Sequence, residues 1–283
     1  MTRTTTAELK TQHLMVAHDL TPEADLALQR AAQLMGLRGA RLSLVHVCEP
    51  STSLSETSIR QQLQARLDHY GVTQADVQLR SGGRLEVLSQ LVQGLEPDLL
   101  LLGAHHAQSS CGFSGTTLEQ LLPELEVAVL LVVGNADQAY QRALAAVDFS
   151  SCASRALCSL WPLLAEDSQL YALNVLEGTL LTCPEPDELS WQQRLLEQVL
   201  EDIQQRLPPR DIRLLGQVAY GERYQCVEQY IQQTQPQVVA LGVHSERGLL
   251  SQALVGGMVQ WLLSQPPCDV LLAPNASCCP WID

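Results

Sequence analysis

The sequence predicts an α/β protein made of two tandem domains, each a five-stranded parallel sheet with flanking helices. Three observations carry that reading. The chain repeats itself in order. LMVAHDLTPEADLAL near the start answers LAAVDFSSCASRAL past the midpoint, and LSLVHVCEP at 42–50 answers LYALNVLEG at 170–178. DLLLLGAHH at 98–106 then answers QVVALGVHS at 237–245, and VAVLLVV at 127–133 answers CDVLLAP at 268–274. Within each half, strand-length apolar runs alternate with helix-period segments, as in a sheet built through helical crossovers. Runs such as those at 99–102 and 238–241 are apolar at every position, as strands covered on both faces must be.

The offset is 129 between Asp19 and Asp148, 128 between His46 and Asn174, and 139 between Gly103 and Gly242. A near-constant offset with one loop insertion means two copies of a domain, not an array of short units. Domains are expected at 1–136 and 140–283, joined by the short polar linker GNADQAYQR at 134–142.

The elements follow in order. Strand one spans 13–18 and 143–147 and ends at an Asp in each copy. In the first copy Thr21 is an N-cap, Pro22 suits the first helical position, and Glu23 suits the positive end of the helix dipole. Ala24, Leu28, Ala31 and Ala32 then repeat at helical spacing, as do Ala156, Leu157, Leu160 and Leu163. Strand two is LSLVHV or LYALNV. The helix after it buries a stripe at Ile59, Leu63 and Leu67, or at Leu189, Leu196, Val199, Leu200, Ile203 and Leu207, and Pro208-Pro209 stops the second of these. Strand three lies at 77–83 and 214–221 and ends in glycine turns at Gly82-Gly83 and Gly221. Helices at 85–94 and 222–234 lead to strand four, helices at 116–124 and 257–264 to strand five.

Composition excludes several classes. Seventeen basic against thirty-one acidic residues give a net charge of −14 with no basic cluster, which repels nucleic acid and anionic membrane surfaces. No run approaches the roughly 18 apolar residues of a membrane span, and MTRTTTAELKTQ at the start has no signal-peptide core, so a cytoplasmic protein is expected. Nine cysteines without a CxxC pair read as reduced thiols.

Ligands of open parallel sheets sit at the carboxyl ends of the strands, where the strand order reverses. The residues there are Asp19 and Asp148 after strand one, Val47 and Val175 at the end of strand two, and the loops that begin at Gly103 and Gly242. Each loop has a Gly after the strand and another at the next helix start, a geometry that lets backbone N–H groups approach phosphate.

VAHDLTPEADLAL, LVHVCEP, LLGAHH and LLVV in the first half, with AAVDFSSCASRAL, ALNVLE, GVHSERGLL and DVLLAP in the second, resemble the universal stress protein family. The resemblance covers almost the whole chain and is similar to the tandem, UspE-like branch. It implies a Rossmann-like sheet of the adenine nucleotide alpha hydrolase type, with the two halves paired as an intramolecular pseudo-dimer. In the nucleotide-binding branch the Asp after strand one and the backbone after strand two hold adenosine, while a Gly-x-x-Gly-(nine residues)-Gly-Ser/Thr loop holds phosphates. Carried over, the candidates are Asp19, Val47, Gly103, Gly115 and Thr116 in one half, and Asp148, Val175, Gly242, Gly256 and Gly257 in the other. His106 and Ser245 occupy the family's second Gly and join the set. The outer glycines are 12 and 14 apart where the motif has thirteen, and Gly257 replaces the final Ser/Thr.

Other readings carry less. Asp19 and Asp148 have the ordinary role of a carboxylate capping the next helix. The phosphoacceptor pattern of receivers is missing its Asp after strand three and its Lys after strand five. His105 and His106 with His18 or His46 lack metal-ligand spacing, Cys111 has no cationic neighbour in sequence, and there is no GxSxG elbow. The expected function is a non-catalytic cytosolic stress-response and regulatory module that binds a small metabolite or an adenine nucleotide such as ATP or AMP. One alternative is an ATP-binding protein with slow hydrolysis. Another is a protein-interaction scaffold with vestigial sites. Intramolecular pairing is expected, with a further homodimer open, and neither nucleic acid nor membrane as partner.

Overall fold

The computed structural model describes residues 13–48, 54–104, 118, 121–178, 186–243 and 257–274. Strand and helix alternate as β1 (His13–Ala17), α1 (Pro22–Arg38), β2 (Arg41–Cys48), α2 (Glu56–His69), β3 (Asp76–Ser81), α3 (Arg84–Leu95), β4 (Leu99–Gly103) and β5 (Ala128–Val132). The second half repeats the order: β6 (Tyr140–Ala146), α4 (Ser151–Leu160), β7 (Leu164–Glu177), α5 (Pro186–Arg206), β8 (Ile212–Gly221), α6 (Arg223–Thr234), β9 (Val238–Val243), α7 (Gly257–Ser264) and β10 (Asp269–Pro274). Of the helix expected at 116–124, only positions 118 and 121 and the 3-10 turn Leu122–Glu124 lie among the described residues.

All ten strands form one sheet in the order β3-β2-β1-β4-β5-β10-β9-β6-β7-β8. The pairs within each half are parallel, and the halves meet through one antiparallel pair, with Val270 opposite Leu131, Leu271 opposite Leu130 and Leu272 opposite Val129. The period of two divides each strand between two cores. Leu14, Val16, Leu99, Leu101, Leu130 and Leu271 pack under α1, α2, α4 and α5. Met15, Leu100, Val129, Val239, Val270 and Leu272 pack under α3, α6 and α7. This layering explains why the central strands carry no polar side: neither face meets water. The stripe Ile59, Leu63 and Leu67 is buried as expected, and so are Leu196, Leu200, Ile203 and Leu207, with Leu189 and Val199 half-buried.

Two expectations are corrected. The linker does not run to residue 142, because β6 begins at Tyr140. Tyr140 is fully buried, its hydroxyl donating to the Asp269 carboxylate. Burial, and then the Asp269 charge, push its phenol well above the ordinary range. Strand two of the second half is also far longer than LYALNV, spanning Leu164–Glu177. Its polar first half pairs with β8 from Ser168 opposite Ile212 onward, and Asp167 takes a left-handed φ of 57° on the way.

The linker end of the β5–β10 seam carries a buried ionic cluster. Asp269 accepts from Val133 N at 2.8 Å and Gly134 N at 3.0 Å, and Arg30 Nη2 lies 3.4 Å from its Oδ2. Arg30 also donates to the carbonyl of Gln138 at 2.9 Å and lies 4.0 Å above the Tyr140 ring. One buried residue from α1 thereby grips the linker and the second half together. No helix among the described residues is long and apolar enough to cross a membrane.

Candidate functional site

Each half builds the same turn after its first strand. Asp19 Oδ1 accepts from the Thr21 backbone N at 3.1 Å and the Thr21 hydroxyl at 2.6 Å. Thr21 Oγ1 in turn accepts from Ala24 N and caps α1. In the second half Asp148 Oδ1 accepts from Ser150 N at 3.0 Å and from the Ser150 hydroxyl, and Ser150 caps α4 by accepting from Ala153 N. The carboxylates therefore do not cap the helices themselves. They brace the residue that does, a correction to the capping role read from sequence. Between Asp and cap sits a non-glycine residue in the left-handed region, Leu20 at φ 71° and Phe149 at φ 62°, a conformation that costs an L-residue about 1–2 kcal/mol.

The end of strand two adjoins this turn. His46 Nδ1 donates to the His18 carbonyl at 2.7 Å, and Asn174 Nδ2 donates to the matching Val147 carbonyl at 2.7 Å. Val47 and Val175, the next residues, are half-buried. Strand four closes the other side. A Cβ at Gly103 would lie 2.2 Å from the Glu23 carbonyl oxygen, and one at Gly242 would lie 2.5 Å from Ala153 N. Both glycines lie inside their strands, not in the turns that follow. They let the first turn of α1 or α4 rest directly on the strand, where any side chain would collide with backbone. The structure thus brings Asp19, Val47 and Gly103 together at the carboxyl ends of β1, β2 and β4. It does the same for Asp148, Val175 and Gly242 on β6, β7 and β9.

Gly257 opens α7, and a Cβ there would lie 2.5 Å from the Tyr224 hydroxyl. Tyr224, on α6, packs edge-on against Trp261 with ring centroids 5.9 Å apart. A Ser or Thr side chain at 257 would therefore require the hydroxyl end of the exposed Tyr224 side chain to shift. His106, Gly115, Thr116, Ser245 and Gly256 lie outside the described residues.

The two turns differ in what stands behind them. In the first half, Leu20 N donates to His18 Nδ1 at 3.0 Å and Leu20 O accepts from Arg66 Nη2 at 3.0 Å. Both partners meet on Asp25, with His18 Nε2 at 2.9 Å and Arg66 Nε at 2.7 Å from its Oδ1. Since His18 Nδ1 accepts a backbone N–H, the neutral ring carries its proton on Nε2 and donates it to Asp25. Burial lowers the affinity of His18 for a second proton, and the Asp25 carboxylate opposes that in part. The second half has Val147 and Ser154 at the positions of His18 and Asp25. The sequence patterns single out neither Asp25 nor Arg66, and the differing residues at 18/147 and 25/154 are the available signal. Both ring nitrogens of His18 are engaged.

The thiols near the strand ends are poor nucleophiles. Burial and then Glu56 push the Cys48 thiol up, and burial pushes Cys152 up. The five described cysteines are thiols, not disulfides.

The model of the universal stress protein family matches residues 10–133 and again 139–274. No curated protein matches the chain. Among solved structures, a universal stress protein from Archaeoglobus fulgidus DSM 4304 has a TM-score of 0.67 at 14% identity, covering 94% of this chain and 99% of its own. A putative universal stress protein from Pseudomonas aeruginosa UCBPP-PA14 has a TM-score of 0.64 at 15% identity, covering 94% of each chain. At these identities the likeness is one of fold.

Proposed function

We propose, from the premise that this chain belongs to the universal stress protein family with one copy in each half, that it is a tandem binding module. In this reading it takes a small metabolite or an adenine nucleotide at the carboxyl edge of its sheet. Occupancy changes its shape or its choice of partner, and the ligand is not turned over. We set the units at 1–136 and 140–283, paired within one chain in the cytoplasm.

The observation that carries this reading is the repeated Asp turn. Two copies with little sequence in common both hold a non-glycine residue at positive φ directly after the Asp, at the sheet edge where α/β folds bind ligands. Strain kept at such a place points to a site. Calorimetric titration with AMP and with Mg-ATP tests it on the wild type, Asp19→Ala and Asp148→Ala. Losing one charge-assisted hydrogen bond costs about 1.5–3 kcal/mol, so the alanine variant of the occupied half is expected to bind about tenfold or more weakly.

A second reading, a protein-interaction scaffold with vestigial sites, draws on a different observation. Gly103 and Gly242 serve helix packing against backbone, and the Tyr224 hydroxyl lies beside Gly257. Absence of nucleotide binding at millimolar concentration would favour it.

A further inference from the structure

We infer that His18, Asp25 and Arg66 are positioning residues that brace the Asp19 turn of the first unit alone, so that acid loosens this turn and not its counterpart at Asp148. The functional consequence rests on the reading that the Asp19 turn contacts ligand. The brace itself does not.

The Leu20 backbone, at φ 71°, makes two hydrogen bonds, its N–H donating to His18 Nδ1 and its carbonyl accepting from Arg66 Nη2. Asp25 fixes both partners through one oxygen. The His18 side chain is wholly buried, so its ring has no solvent to substitute for a lost partner. The charged and titratable groups around it are Asp25 and Asp19 on its own segment, Arg66 from α2, and His46 from β2, which donates to the His18 carbonyl. A proton added to His18 can go only to Nδ1, because Nε2 already carries one. That turns the acceptor of the Leu20 N–H into a donor facing a donor, and the bond cannot survive. Leu20 then keeps the Arg66 hydrogen bond and loses the His18 one.

The second unit offers an internal control. Phe149 has the same conformation at φ 62°, but residue 147 is Val and residue 154 is Ser. Neither side chain titrates in this range, so acid has no corresponding bond to break there.

The test uses amide hydrogen exchange and two-dimensional NMR on the full chain between pH 7.5 and 4.5, with exchange rates corrected for their intrinsic pH dependence. The Leu20 amide is expected to titrate with His18 and to lose protection by tenfold or more. The Phe149 amide, with Val at position 147 in place of the titrating acceptor, is expected to keep a constant corrected exchange rate in the same molecule. His18→Asn keeps an acceptor oxygen near the Nδ1 position and cannot titrate, so it should abolish the Leu20 response. Asp25→Asn removes the carboxylate that favours the protonated ring and should move the Leu20 midpoint to lower pH, which a merely structural contact would not do. Constant Leu20 protection down to pH 4.5, or a parallel change in corrected exchange rate at Leu20 and Phe149, would overturn the inference, and neither result depends on His18→Asn folding. Titration of AMP at pH 7.5 and 5.5 separates the two claims. Binding that weakens with acid in the wild type but not in His18→Asn extends the brace to the ligand. No binding at either pH counts against the proposed function and leaves the exchange result to decide the brace.

Discussion

Asp269→Ala is the substitution through which the joining of the two halves is best probed. Asp269 is 1% exposed and its carboxylate has four partners: the N–H groups of Val133 and Gly134, the Tyr140 hydroxyl and Arg30. Removing it leaves a buried guanidinium whose Nε already has no partner among the described residues, along with two backbone donors and a phenol that lose their acceptor. Hydrogen bonds to a charged group contribute about 1.5–3 kcal/mol each, but they are not additive when they share one carboxylate. Breaking a buried ion pair from one side costs about 3–5 kcal/mol, and that is the expected loss. With a urea m-value of about 3 kcal/mol/M, the upper end for small proteins, the midpoint should fall by about 1–1.7 M. Arg30→Met should cost less, because Asp269 keeps three donors. The double variant should show a coupling of about 1 kcal/mol or more. Gln29→Ala, which loses only the exposed 3.3 Å contact to Asp137, should stay within about 0.5 kcal/mol. A loss below about 1 kcal/mol for Asp269→Ala, or strictly additive effects with Arg30→Met, would refute the reasoning.

Three further outcomes are expected. Gly103→Ala pushes a methyl into the Glu23 carbonyl at 2.2 Å and should cost about 1–3 kcal/mol in thermal unfolding, as overpacking does; an unchanged Tm would show that α1 does not rest on β4. Val129→Asp with Val270→Asp puts two charges into positions that are 0% exposed at the β5–β10 seam. It should split cooperative unfolding and enlarge the hydrodynamic radius, and unchanged values of both would count against the seam. Burial lowers the pKa of both His13 and His18 below the ordinary 6.5. Between that value and the lower folded one the unfolded chain binds the extra protons, so stability should fall as pH drops below 6.5, by at most about 1.4 kcal/mol per pH unit for each ring. Urea midpoints equal at pH 7.5 and 5.5 would contradict this.

Much of the fold is legible in the sequence because its signals are local. The all-apolar runs at 99–102 and 238–241 announce strands covered on both faces, and Thr21-Pro22 announces the start of α1. The repeat by itself places Asp19 and Asp148 at equivalent strand ends. What escapes depends on contacts between distant residues. Tyr140 sits in a polar stretch and reads as linker, yet it is buried because Asp269 accepts its hydroxyl from 129 positions away. Gly103 reads as a turn residue, and only the Glu23 carbonyl lying against it reveals a packing role. The polar start of β7 reads as loop, and it is a strand because β8 pairs with it. His18 taken alone lacks metal-ligand spacing and has no other role legible in the sequence. Its meaning comes from Asp25 and Arg66, the latter on another helix.

Native mass spectrometry of the full chain, purified without added nucleotide and then mixed with AMP and Mg-ATP, tests the central claim of a ligand-binding tandem module most directly. The expected result is a retained or titrating small-molecule adduct that Asp19→Ala or Asp148→Ala weakens about tenfold or more. A spectrum of bare protein throughout, up to millimolar nucleotide, would contradict it.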